Sequence, residues 1–454
     1  MPSWLAALDD SERVQAALTR VVPDLRRAKL SGLRLKRGKW RGRCAILLDD
    51  REQEVNVAAT IVPPGHGDPP STTPSSTQPG TEGWRCWIPE LRLLLKSTGE
   101  ADSELPALRL LTDPERARAL LEEAIQGGAP AYRDMKIVSV QPKVVRYSPG
   151  SRCTVLFRLD LPPEAHRGRS WPDVVVAKTY HRSDKGRIAW NGMRALWNSP
   201  LARSGIVQIA EPLAWLPKQT ILLQSGIEQE QTLKELLLNT LSSTEEESHE
   251  ELGDYLVKTA VGLAELHHSG VAATKQVTFE AELAEVREVA GRLASVLPEL
   301  AGAADPLLDV VEAWASRIPA DAPLPSHGSF RPAQVLLYQG GIGFIDFDGF
   351  CEAEPSLDVA LFRTTVRDLA MSALSADVPL AERLERIDGL CEGFLASYHE
   401  RASLSVERVA LWEALDLMTN LLHSWTKVKP SRLKRAVALL LHHLERLRAI
   451  VDET

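Results

Sequence analysis

His327-Gly328-Ser329-Phe330-Arg331-Pro332-Ala333-Gln334-Val335-Leu336, with Ile345-Asp346-Phe347-Asp348 shortly after it, is the stretch that decides the reading of this chain. Ser329 and Gln334 stand five positions apart. After Gln334 comes the apolar run Val335-Leu336-Leu337-Tyr338, then Gln339-Gly340-Gly341, then Ile342-Gly343-Phe344-Ile345. Two short apolar runs around a Gly-Gly turn predict a β-hairpin. Such a hairpin returns the chain on itself and brings Gln334 and Asp346 to the same end.

In protein kinases the catalytic base and a metal-binding amide are five apart, as in H-R-D-x-x-x-x-N, and the Asp of D-F-G on the next hairpin is the second metal ligand. The stretch is similar to the H-G-D-x-x-x-x-N and I-D-F/W-D/E motifs of the aminoglycoside phosphotransferase and choline kinase-like family. Downstream, Glu354-Pro355-Ser356-Leu357-Asp358-Val359-Ala360 resembles that family's D-P-x-x-D-L-A signature, whose Asp, here Asp358, caps and braces the loop. The resemblance implies an α+β, two-lobed protein-kinase-like fold, with a small β-rich lobe and a larger, mainly α-helical lobe. It further implies ATP as phosphoryl donor, Mg²⁺ held by Gln334 and Asp346, and a small hydroxylated acceptor.

The resemblance departs from the family's pattern at two places, the first of them in this loop. Ser329 stands where the family has its catalytic Asp, and a hydroxyl has no useful basicity near neutral pH; losing a general base typically costs ~10²–10⁴ in rate. Phosphoryl transfer nevertheless draws most of its acceleration from positioning and charge neutralisation. Asp348, two residues past Asp346 and expected on the same side of a strand, is a candidate second metal ligand or substitute base, and otherwise a turn residue before Gly349. Arg331 is a candidate for holding the γ-phosphate, or else a surface residue. Two readings stay open: a phosphotransferase with an atypical loop, and a pseudokinase kept for nucleotide or partner binding. Nothing positively supports a third, nucleotidyl transfer on the same scaffold.

Upstream, Lys143 to Leu159 reads as strand, Pro-Gly turn, strand, at the place of a nucleotide-covering hairpin in the resembled fold. Val174-Val175-Val176-Ala177-Lys178 is like the V-A-I-K strand whose lysine grips the α and β phosphates; the simpler alternative is a snorkelling surface lysine. A helix is expected over Gly186 to Ser199. Between Lys178 and Glu211 the only acid is Asp184, so the glutamate that normally pairs with the strand lysine has no evident counterpart. Ile221 to Ile227 resembles the strand and hinge that meet an adenine ring, which makes Gln224 and Gly226 cofactor-binding candidates. A helix from Glu251 ends in Leu266-His267-His268-Ser269-Gly270, where helix C-terminal histidines are expected for their dipole interaction. Further amphipathic helices are expected at 361–373, 380–400, 406–422 and 432–451.

At 454 residues the chain can hold two or three domains. The expected division is an N-terminal α/β accessory region at 1–128, a small lobe at 129–227 and a helical lobe at 228–454 carrying the hairpin 327–348. Pro63 to Gly83 is a Pro/Ser/Thr/Gly tract, predicted to be a flexible loop. A net charge of −8 argues against general nucleic-acid binding. Between Asp24 and Asp49, however, nine residues are Lys or Arg and none is acidic. The segment 26–43 is therefore a candidate dock for an anionic partner, against the blander reading of a solvated strand face. Five scattered cysteines without a C-x-x-C pair suggest neither disulfides nor zinc. No apolar leader and no run of about 18 apolar residues is present, so a cytoplasmic protein without a membrane partner is expected. There is no P-loop and no G-x-S-x-G elbow.

Overall fold

The computed structural model describes residues 1–65, 78–81, 83–97, 104–148, 150–162, 171–243 and 246–453. The chain forms two compact units, one from Met1–Ala101, Glu280–Arg317 and Ala414–Thr454, the other from Asp102–Phe279 and Ile318–Glu413.

The first unit is built on a five-stranded antiparallel sheet in the order Leu25–Lys36, Lys39–Leu48, Val55–Ile61, Leu93–Lys96, Arg85–Ile88. Arg37 and Gly38 turn the first hairpin with φ of 51° and 73°, the left-handed pair that matches strand twist. Alternate residues of each strand point inward: Trp40, Cys44, Ile46 and Leu48 are buried with Leu5, Val14 and Leu18 from the N-terminal helices. Leu293, Val296 and Leu297 complete this core. Trp40 is fully covered, and its indole N–H donates to Trp425 O at 3.1 Å. Most of the Pro/Ser/Thr tract, 66–77 and 82, lies outside the described residues.

The second unit begins with another five-stranded sheet, ordered Pro212–Leu216, Ile221–Ser225, Val174–Tyr180, Arg152–Asp160, Ser139–Ser148. One face carries Val155, Phe157, Val175, Ala177 and Leu223 into a core closed by Leu111, Ala117, Leu121 and Ile125. The last three lie four residues apart on the helix Pro114–Gly128, a single apolar stripe. The rest of this unit is mainly helical, with Glu246–His267, Ser356–Ala373 and Leu380–His399 the longest helices wholly inside it.

The units divide differently from the sequence expectation. Residues 105–128, expected in the N-terminal region, pack on the second unit's sheet, while 280–317 and 414–454 join the first unit. Compositional breaks mark loops, whereas unit membership is set by which core an apolar stripe covers. All five cysteines are buried and none forms a disulfide, and burial pushes the Cys44 thiol up to about 12. Among the described residues no helix is long and apolar enough to cross a membrane.

Candidate active site

Strand alternation explains the position of Lys178. Val175, Ala177 and Thr179 point into the sheet's packed side, so Lys178 and Tyr180 face the other way. Arg152 is the register partner of Tyr180 on the neighbouring strand and shares that face. All three meet the chain after the hairpin. Lys178 Nζ donates to Asp346 Oδ1 at 2.6 Å and to Asp348 Oδ1 at 2.8 Å. Tyr180 OH donates to Asp348 Oδ1 and Arg152 to Asp348 Oδ2, each at 2.9 Å. Arg152 also lies 3.8 Å from Asp346, and Arg146 lies 3.7 Å from its other oxygen.

Burial works against charge on Lys178, but the Asp348 and Asp346 carboxylates outweigh it and hold the ammonium above its usual pKa. Burial likewise opposes charge on Asp346, yet Lys178 and Arg152 keep its carboxyl well below the usual range. Burial first, and Asp348 second, push the Tyr180 phenol far up, so it remains a donor. The sequence expectation that Lys178 lacks a helix glutamate is met in a specific way. Asp184, in the first turn of the helix Ser183–Trp197, pairs with Arg182 instead, and the two aspartates take the lysine.

The hairpin forms as its residues require. Val335–Tyr338 pairs with Gly341–Phe344, Gln339 and Gly340 turn with φ of 47° and 77°, and Ile345 N donates to Gln334 O at 3.0 Å. Gln334 and Asp346 thus flank the same end. Asp346 and Asp348 do not share a strand face: Asp346 is left-handed, with φ 71° and ψ 47°, and Phe347–Gly349 is a 3₁₀ turn. It is this break that swings both carboxylates onto Lys178, in place of the expected alternation. Gln334 Nε2 is 3.4 Å from Ser329 Oγ, while Gln334 Oε1 is buried and accepts no hydrogen bond. A buried, unpartnered amide oxygen at the hairpin end that also carries Asp346 fits an oxygen-seeking cation such as Mg²⁺.

The Ser329 loop is held from behind. Asp358 is fully buried in the first turn of the helix Ser356–Ala373. It accepts from the backbone N–H of His327 at 2.6 Å, Gly328 at 2.9 Å and Phe330 at 3.4 Å. His267 Nε2 lies 3.3 Å from Asp358, and its Nδ1 is 2.7 Å from Tyr398 OH. His267 is therefore a brace for Asp358, a role that the helix dipole does not reveal. Gly328 has φ 73°, and a Cβ there would sit 2.2 Å from Gly349 O. His327 Nε2 donates to Ile345 O at 3.0 Å, leaving Nδ1 3.4 Å from Ser329 Oγ. Burial lowers the His327 pKa despite the nearby Asp358 charge, so this imidazole is neutral and a poor sink for a proton taken through Ser329. Arg331 is exposed.

The hinge candidates sit less simply. Gly226 N–H donates to Val174 O at 2.8 Å, so that donor is already used within the sheet. Gln224 is buried in the strand Ile221–Ser225, with its Oε1 unpartnered.

A family model described as the phosphotransferase enzyme family, APH, matches residues 197–426, just over half of the chain. The protein belongs to this family. No curated protein matches its sequence. Among solved structures, a glucosamine kinase in complex with glucosamine, ADP and inorganic phosphate is 15 % identical, over 97 % of this chain and 99 % of that one, with a TM-score of 0.49. Choline kinase from Cryptosporidium parvum is 13 % identical over 74 % and 96 %, with a TM-score of 0.48. A choline/ethanolamine kinase family protein from Mesorhizobium loti is 12 % identical over 68 % and 92 %, with a TM-score of 0.42. At such identities and TM-scores these likenesses carry no functional weight, which rests instead on the family match and on the geometry around Lys178.

Within this phosphotransferase-family chain, sequence reasoning passes over Arg152, Tyr180, Arg146 and Tyr398. Arg152 and Tyr180 are discoverable only by pairing two strands in register. Tyr398 leaves no local signal.

Proposed function

We propose that the protein binds ATP with Mg²⁺ and transfers the γ-phosphoryl group to a hydroxyl of a small molecule, through a loop that lacks the usual carboxylate base. The observation that carries this reading is the convergence of Lys178 on Asp346 and Asp348 beside Gln334, whose side-chain oxygen is buried and unpartnered. Gln334 and Asp346 would hold Mg²⁺, which when bound neutralises charge on the β and γ phosphates. Lys178 exchanges its carboxylate partners for phosphate oxygens. Arg152 and Arg146, on the hairpin strands Arg152–Asp160 and Ser139–Ser148, add positive charge at the same end. Gln224 would meet the adenine ring, and Arg331, exposed in the Ser329 loop, would hold the γ-phosphate.

Ser329 hydrogen-bonds the acceptor hydroxyl and orients it but takes no proton; as the new O–P bond forms and ADP leaves, the hydroxyl's proton passes to an oxygen of the transferred phosphoryl group. Asp348 is a weak substitute base, because both its oxygens already accept from Lys178, Tyr180 and Arg152. Turnover then rests on positioning and charge neutralisation. A second reading, a pseudokinase that binds nucleotide and regulates a partner, is favoured by one observation: the loop is fully braced by Asp358 around a residue that cannot act as a base. ADP release with and without Ser329→Asp separates the two. The phosphotransferase reading expects unchanged ATP affinity and turnover raised about 10²-fold or more by restoring a base. Absence of ADP release from both forms, across hydroxylated acceptors, supports the pseudokinase. A fall on Ser329→Asp contradicts the assignment of Ser329 to the base position.

A further inference from the structure

The first unit's sheet has one packed face and one outward face, and the charged strand residues of the outward face are all cationic. Register places Arg34 opposite Arg41 and Lys36 opposite Lys39. The row through Arg41 continues across Thr60 and Leu94 to Trp87. The next row runs from Arg43 across Ala58 to Lys96 and Arg85. Lys29 and Arg27 extend the first strand on the same side, with Arg27 paired to Glu54. No described strand residue on this face is acidic. Among the described residues, Arg34, Lys36, Lys39 and Arg41 make no ion pair.

Like charges directly across a ladder are destabilising, and two such pairs stand side by side here. A solvated face needs no such arrangement, since alternating signs would be more stable. Between the cations lie half-buried Leu94, Trp87 and Thr60, so the face combines a basic margin with a shallow apolar strip.

We propose that this outward face is a docking surface for an extended acidic segment of a partner protein, with apolar side chains among its carboxylates. Side chains two apart on a strand are about 6.8 Å apart, and an extended peptide repeats the side chains of one of its faces at that interval, so carboxylates two apart meet the cationic rows while apolar residues further along that same peptide face meet Leu94 and Trp87. Single-stranded nucleic acid fits less well, because stacking successive bases takes several aromatic rings and the described strands offer only Trp87 on this face. A lipid surface fits less well, because none of the large exposed apolar side chains lies on this face.

The test uses full-length protein and a fluorescein-labelled peptide with serine at every second position and glutamates followed by leucines at the positions between, so that one strand face carries both, followed by anisotropy. Arg41→Glu and Lys39→Glu each place a carboxylate opposite a remaining cation, so the fold is retained or strengthened; an unchanged or raised Tm checks this. The proposal expects saturable binding, weakened about tenfold by either substitution and about tenfold on raising salt from about 50 to about 300 mM. Absence of saturable binding, or binding indifferent to both substitutions, overturns it. Tighter binding of a thymidine oligonucleotide or of phosphatidylserine vesicles, lost in the same variants, overturns the choice of partner.

Discussion

Replacing Asp358 with alanine tests how the loop that presents Ser329 is held. The carboxylate is fully buried and accepts from three backbone amides of that loop, at 2.6, 2.9 and 3.4 Å. Each buried donor left without an acceptor costs about 1–3 kcal/mol. Three donors sharing one loop are not additive, and the longest contact contributes least, so the expected loss is about 3–5 kcal/mol. At about 2–4 °C per kcal/mol for domains of 150–250 residues, Tm falls by roughly 6–20 °C. Asp358→Asn should fall between alanine and wild type. It keeps one acceptor for Gly328 and Phe330 but turns an amide donor toward the His327 N–H or toward His267. The assay is thermal and urea unfolding followed by circular dichroism. A loss below about 1 kcal/mol for Asp358→Ala would refute the brace.

Gly328→Ala forces a side chain into a left-handed residue, at about 1–2 kcal/mol, and sets its Cβ 2.2 Å from the carbonyl oxygen of Gly349. A denaturation midpoint equal to wild type would contradict that geometry. His327 has its pKa lowered by burial, so the folded state favours the neutral ring while the unfolded chain protonates at about 6.5. Its contribution is complete above that pH and is lost as pH falls below it. The Tm advantage of wild type over His327→Gln should therefore shrink between about pH 7.5 and about pH 5.5, and a constant advantage would refute a neutral buried imidazole.

The most legible parts of the molecule are local. The hairpin around Gly340 and Gly341, the five-residue spacing of Ser329 and Gln334, and the strand that carries Lys178 each follow from a few adjacent residues and a period of two. Alternation puts Asp348 near the site for the wrong reason, because it cannot reveal that Asp346 leaves the strand through a left-handed residue. Arg152 and Tyr180 converge only once the register between their strands is known. His267 carries its role through Asp358 and Tyr398, residues far along the chain. The basic run 26–43 is visible as composition, yet its gathering on one sheet face with Arg85 and Lys96 needs the strand order. The unit boundaries are the least legible, since 280–317 and 414–454 join the first unit through packing that no break in composition records.

The central claim is that Lys178, Gln334 and Asp346 form a nucleotide site with a metal requirement. It is tested most directly by the thermal shift of the full-length protein with ATP, with and without Mg²⁺, beside Asp346→Ala. A ligand at about a hundredfold excess over its Kd stabilises the native state by about 2.7 kcal/mol. The account predicts a rise in Tm of several degrees that requires Mg²⁺ and is abolished by Asp346→Ala. A rise of equal size without Mg²⁺, or one that survives Asp346→Ala, would contradict the metal assignment, and no rise at millimolar ATP would contradict the nucleotide site itself.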